Sequence, residues 1–173
     1  MAAVALVVVV PVAGSSPESS PPLMRYPLAG AVSVATPFDP PEQPWLPGHR
    51  GVDLAGTHMG VVHAPAAGTV RFVGRVAGTA VISIDHSNGV RTTYQPVQAV
   101  VRAGDDVAAG RPIGHLLDGH PGCPVEVCLH WGARVGSGEA PGDDDEYIDP
   151  MALLDPAERP IRLKPTLPGD GEA

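Results

Sequence analysis

Between His49 and Gly132 the chain breaks into short β-branched or alternating runs, most of them separated by turn-forming residues, and this punctuation constrains the fold more than any other feature. The runs fall at 61–64, 69–73, 80–85, 90–94, 112–116 and 125–132. Ala67-Gly68, Gly78-Thr79, Ser87-Asn88-Gly89, Gly104-Asp105-Asp106 and Ala109-Gly110 lie between them. Ser-Asn-Gly between two alternating runs predicts a hairpin. No stretch of this body keeps a helical period through three turns. The expected fold class is therefore all-β, with one short helix at 149–154 that has Asp149 as N-cap and Pro150 in its first position.

The 173 residues suit one domain plus tails. Residues 1–14 contain an apolar run, AAVALVVVVPVA, of the length of a signal-peptide core and too short to span a bilayer. No Lys or Arg precedes it, which departs from the usual signal pattern. Residues 15–27, with SSPESSPP, read as a linker. Residues 28–155 form the expected domain, and its Pro-rich first part, 28–48, is expected to wrap the body as an extended arm. Residues 156–173 read as a flexible tail. Export is the expectation, and in an exported chain Cys123 and Cys128, five apart, suit a loop-closing disulfide.

The formal charge is −8, and the eleven Lys and Arg form no stripe, which argues against nucleic-acid binding. The acidic run Asp143-Asp144-Asp145-Glu146 reads as a solvated loop. The body between His49 and Asp155 contains no lysine, which argues strongly against a carrier domain with an attachment lysine.

The chemistry concentrates in G-H-R-G-V-D-L and C-L-H-W-G. Imidazole nitrogens and a carboxylate oxygen are zinc ligands. His49 and Asp53 share parity, so in an extended segment both leave one face of the chain. His130 lies far along the sequence, and the fold must bring it in. Three such ligands leave one tetrahedral position open, the arrangement of a catalytic zinc. Taken alone, a histidine and an aspartate four apart are more often structural than metal-binding.

Order and context add weight. G-H-R-G-V-D-L, A-P-A-A-G-T-V-R-F-V-G, V-I-S-I-D-H-S-N-G-V-R-T-T-Y, the double-Gly turn of 100–114 and C-L-H-W-G follow one another in a succession that resembles the lysostaphin-like (LytM-type) zinc metallopeptidases, peptidase family 23. The resemblance covers about residues 25–155. It implies a small antiparallel β-sandwich, the duplicated-hybrid-motif or lysostaphin-like core, with Pro-rich arms. It implies Zn2+ held by His49, Asp53 and His130, and hydrolysis of the stem or cross-bridge peptides of bacterial peptidoglycan. It places the protein outside the cytoplasm, secreted or associated with the cell wall, without a membrane span once the signal is removed.

Two departures fall on the chemistry. Where the family carries Y-x-H-L, this chain has Tyr94-Gln95-Pro96-Val97; where it carries H-x-H, the first position is Cys128. Three outcomes are open. Another residue supplies the missing acid–base group, with His120 on the loop before the last strand and Tyr94 as candidates. Or the domain is a non-catalytic zinc-bearing module that binds wall peptide or regulates a partner cell-wall hydrolase. Or Cys128 closes a four-ligand structural site. A free Cys128 thiol would keep chemistry open, and a Cys123–Cys128 disulfide would favour the binding module. His86 reads as structural, and His58, His63 and His115 match no catalytic position. Trp45 and Trp131 are expected in the core or arm rather than in a groove, and Arg50 and Arg91 in surface or hairpin contacts.

Overall fold

The computed structural model describes residues 23–43, 45–87, 89–136 and 146–158. The export signal, most of the linker, Asp143 to Asp145 of the acidic run, and nearly all of the tail lie outside the described residues. Eleven strands are described: β1 (Val34–Thr36), β2 (Gly51–Ala55), β3 (Val61–His63), β4 (Gly68–Val76), β5 (Thr79–His86), β6 (Val90–Gln95), β7 (Val97–Ala99), β8 (Asp106–Val107), β9 (Pro112–Leu116), β10 (Cys128–Val135) and β11 (Glu146–Ile148). The only helix among the described residues is a 3-10 turn, Pro150–Leu153. Its N-cap is Asp149, whose carboxylate accepts from the Met151 amide at 2.9 Å, as the Asp-Pro pair predicts. No described helix is long and apolar enough to cross a membrane.

The strands build two antiparallel sheets. Eight belong to the larger, in the order β1-β2-β10-β6-β5-β4-β8 with β11 beside β10; the smaller runs β3-β9-β7. Strand parity sorts the faces. On β6, Val90, Thr92 and Tyr94 are buried, while Arg91, Thr93 and Gln95 are half-buried on the other side. The inward side chains, with Leu54, Ile82, Ile84, Leu129 and Trp131, form one core with Val62, Ile113 and Leu116 from the smaller sheet. Truncating a side chain buried as completely as Trp131 costs roughly 3–5 kcal/mol.

The alternating runs predict β3 to β6 and β9 well. The run 125–132 is displaced: pairing starts at Cys128 and continues to Val135. The expected linker ends earlier than residue 27. Met24 is fully buried, its amide donates to the Leu153 carbonyl, and its own carbonyl accepts from Asp155. Arg25 and Pro27 are tied by backbone hydrogen bonds to Pro65 and His63. The arm follows: β1 pairs with β2, and Asp39 bridges His49.

One buried polar chain crosses the core. A carbonyl can only accept, so His86 Nδ1 donates to the Ala67 oxygen at 2.9 Å. A neutral His86 then accepts at Nε2 from the Thr92 hydroxyl (2.8 Å), which in turn accepts from the Tyr94 hydroxyl (2.6 Å). The expectation that His86 is structural is met.

Candidate metal centre

Cross-strand register assembles the site. Asp53 of β2 lies directly opposite His130 of β10, and His130 is flanked on its other side by Gln95 of β6. All three therefore point from the outer face of the larger sheet. His49 enters just before β2, locked by paired backbone hydrogen bonds to Asp39 of the arm at 2.7 and 3.0 Å. His120 arrives on the loop before β10. One ligand atom from each of His49, Asp53, His120 and His130 lies within 4.8 Å of the other three.

The geometry is crowded around one oxygen. Asp53 Oδ1 has His49 Nε2 at 3.0 Å, His130 Nδ1 at 2.9 Å and His120 Nε2 at 3.0 Å. His49 Nε2 and His130 Nδ1 are themselves 3.1 Å apart. His49 Nδ1 lies 2.6 Å from the Pro37 carbonyl and must donate to it. A neutral His49 therefore presents a bare lone pair at Nε2, aimed at a carboxylate oxygen and a second imidazole nitrogen. Lone pairs converging in this way repel unless a cation or a proton lies among them. The donor set fits a divalent metal: three imidazoles, one carboxylate, and a backbone carbonyl that sets the tautomer of a ligand.

Burial raises the Asp53 pKa, but hydrogen bonds from His120 and His130 and the charges of His120 and His49 outweigh it. The net effect holds the carboxyl well below the usual carboxylate range. Gly51 makes room for the ring of His130. A Cβ at Gly51 would lie 2.7 Å from His130 Nε2 and 2.6 Å from the Trp131 carbonyl.

The structure brings His49, Asp53, His130 and His120 together and keeps Tyr94 apart. Tyr94 is fully buried, and burial pushes its pKa up. Its hydroxyl is committed to Thr92 in the core, so Tyr94 has no route to the site as a proton donor. Cys128 is buried and bonded to Cys123, which removes it as a fourth ligand. That bond also ties the loop that carries His120 to the strand that carries His130. His120 is buried against the His130 ring, with centroids 5.2 Å apart, and its Nδ1 has no hydrogen-bond partner among the described residues. The sequence signal for this placement was the D-G-H-P-G-C segment, with a histidine three residues from the bridged cysteine.

The other expectations are simpler. His58 pairs with Asp118 at the surface, and His115 contacts the Met59 carbonyl. Trp131 is core and Trp45 is exposed on the arm. Arg91 pairs with Asp85 across the hairpin, and Arg50 reaches the Leu46 carbonyl and lies over the Tyr147 ring. A groove of about 660 Å³ runs from His130 across the outer face of the sheet.

The family model for peptidase family M23 matches residues 47–150. An uncharacterized protein of Mycobacterium tuberculosis (strain ATCC 25618 / H37Rv) is 46% identical over 142 residues, covering 82% of this chain and 55% of that protein. The chain thus spans about half the length of such relatives. Two solved structures share the fold at lower identity. A chain of the SpoIIQ–SpoIIIAH pore-forming complex gives a TM-score of 0.63 at 21% identity, covering 79% of this chain and 93% of that one. The catalytic domain of the antimicrobial peptidase lysostaphin from Staphylococcus simulans gives 0.54 at 22% identity, covering 72% and 91%. The antiparallel lysostaphin-like core expected from the sequence is the fold observed.

Proposed function

The chain belongs to peptidase family M23, and from that membership we propose an extracytoplasmic zinc metalloendopeptidase domain that cuts peptides of bacterial peptidoglycan. His49, Asp53 and His130 hold the metal, and His120 is the acid–base group. The observation that supports this most directly is the convergence of three imidazoles on one buried carboxylate oxygen, one of them from outside the family motifs. Family membership supports the substrate class. The Cys123–Cys128 disulfide supports an oxidising compartment.

Zinc, when bound, supplies Lewis acidity towards a carbonyl oxygen and lowers the pKa of water. The chain's own residues do the rest. Pro37 holds His49 in one tautomer, Asp53 stays ionised, and Gly51 leaves the His130 ring its place. His120 has one ring nitrogen on Asp53 and the other without a partner, so it can take up and return a proton. It thereby replaces the two family histidines absent at Pro96 and Cys128. Such assistance is worth about 10²–10⁴-fold in rate.

The disulfide alone would favour a binding module, because it withdraws Cys128 from acid–base work. The same bond anchors the His120 loop, which supports catalysis. The second reading, a zinc-bearing module that binds wall peptide or a partner hydrolase without cutting, draws on Pro96 and Cys128 standing where the family has histidines.

The test is release of soluble peptide from purified peptidoglycan by the zinc-loaded protein. Release should vanish in Asp53→Ala and fall by about 10²–10⁴-fold in His120→Ala. No release from a chain with its zinc bound contradicts the proposal and leaves the binding module.

A further inference from the structure

Strand register sets a line of mostly small side chains along the floor of the groove beside the candidate metal centre. Gly132 of β10 lies directly opposite Thr93 of β6, Thr93 opposite Ser83 of β5, and Ser83 opposite Phe72 of β4. All four line the groove. Residues directly opposite one another share a face of the sheet. This row lies two residues, roughly 7 Å, along the strands from the row of Asp53, His130 and Gln95. Three strand spacings separate Gly132 from Phe72, about 14 Å, the length of about four residues of extended peptide.

Two features mark the row as a seat rather than a packed surface. Ser83 is 7% exposed, and neither its hydroxyl nor that of Thr93 has a hydrogen-bond partner among the described residues. A hydroxyl withdrawn from water without a partner is costly, and a ligand that supplies one removes that cost. Gly132 is the second feature. A Cβ there would meet nothing closer than the Arg50 carbonyl at 3.4 Å, so packing does not call for a glycine, and the space it leaves opens on the groove beside His130. At the far end the Phe72 ring leans over Gly74, where a Cβ would lie 2.6 Å from its Cζ.

The chemistry fits a main chain. Strands β10, β6 and β5 are each paired on both sides, so their backbone groups are satisfied within the sheet and side chains must bond a ligand lying across them. A hydroxyl both donates and accepts, as a peptide unit does, and carries no charge.

We propose that Thr93 and Ser83 are substrate-binding residues, whose hydroxyls bond the main chain of an extended peptide lying across β10, β6 and β5 from His130 towards Phe72. The proposal rests on the peptidase reading for its choice of ligand and adds the path of the substrate and its reach, about four residues to one side of the bond held at the metal centre.

The test is a titration of the full chain carrying Asp53→Ala, so that cleavage plays no part, followed through the backbone amide signals by nuclear magnetic resonance. The probes are acetyl-tetraalanine amide and its twin with N-methyl groups on the second and third alanines. Tetraalanine should bind at millimolar concentration or below and move the signals of Gly132, Thr93 and Ser83, and the twin should bind about tenfold more weakly. Adding Thr93→Val, which keeps the volume and removes the hydroxyl, or Ser83→Ala should weaken tetraalanine by about two- to tenfold. Because neither hydroxyl bonds another described residue, the melting temperature should hold or rise. Equal binding of the two peptides, binding of neither at millimolar concentration, or full affinity in both variants overturns the proposal. Lost affinity accompanied by a lower melting temperature in both variants would make the two residues structural and overturn it as well. Turnover is not read in this titration, so an inactive metal centre would count against the catalytic reading alone.

Discussion

His49 donates its Nδ1 proton to the carbonyl oxygen of Pro37 at 2.6 Å, so a residue of the Pro-rich arm fixes which nitrogen of His49 faces the candidate metal centre. The arm is thus part of the site. Backbone groups that orient a ligand typically matter about 10–100-fold for metal affinity.

Asp39→Pro tests the arm, because it removes the amide that donates to the His49 carbonyl at 3.0 Å while leaving every ligand in place. Zinc affinity, measured by competition with a chelator, should fall by about tenfold or more while the β-sheet spectrum is unchanged. Unaltered affinity would mean that the arm does not hold His49.

The disulfide tethers the loop that carries His120. Cys123→Ser should leave zinc bound by His49, Asp53 and His130, while turnover drops towards that of His120→Ala, about 10²-fold or more. Turnover unaffected by Cys123→Ser would show that His120 needs no tether. Turnover unaffected by His120→Ala would remove it from the mechanism.

Gly51→Ala places a Cβ against the Trp131 carbonyl and the His130 ring, neither of which can move without breaking β10 pairing or ligand position. The expected cost is about 1–3 kcal/mol in urea unfolding. Zinc affinity should fall with it. A stable Gly51→Ala chain that keeps its zinc affinity would contradict the close approach of β2 and β10.

His86 gives the core a pH dependence. Burial lowers its pKa, against the Ala67 hydrogen bond and the charge of Asp85. The unfolded chain takes up the proton near the ordinary value of about 6.5, and the folded chain only at lower pH. Stability from this group is therefore complete above that value and is lost as pH falls through it towards the folded pKa. In metal-free protein, unfolding free energy between about pH 7.5 and about pH 5 should fall less steeply in His86→Gln than in the unaltered chain. Equal slopes would mean that the buried Tyr94–Thr92–His86 chain tolerates the charge.

Much of this was legible in the sequence, for identifiable reasons. Alternation predicts β5 and β6 because one face is core and the other is open. Parity put His49 and Asp53 on one side, and motif order supplied His130. The short strands β1, β7, β8 and β11 have two or three residues each, too few to show a period. Tyr94 looked available because it stands beside Pro96, but parity turns it inward with Thr92. The partnership of Pro37 with His49 and the convergence of His120 depend on loops closing in space, which no local pattern encodes. The groove lining of Arg50, Arg71, Arg91 and Arg134 is dispersed in the sequence, and only the folded chain gathers it.

In the proposed function three ligands hold the metal and His120 is left to act. This division of roles is tested most directly by zinc content per folded chain, measured by elemental analysis on the unaltered protein and on His49→Ala, Asp53→Ala, His130→Ala and His120→Ala. Close to one zinc is expected in the unaltered protein and in His120→Ala, and little or none in the other three. Loss of zinc from His120→Ala as complete as from Asp53→Ala would contradict it, because four ligands would then close the site.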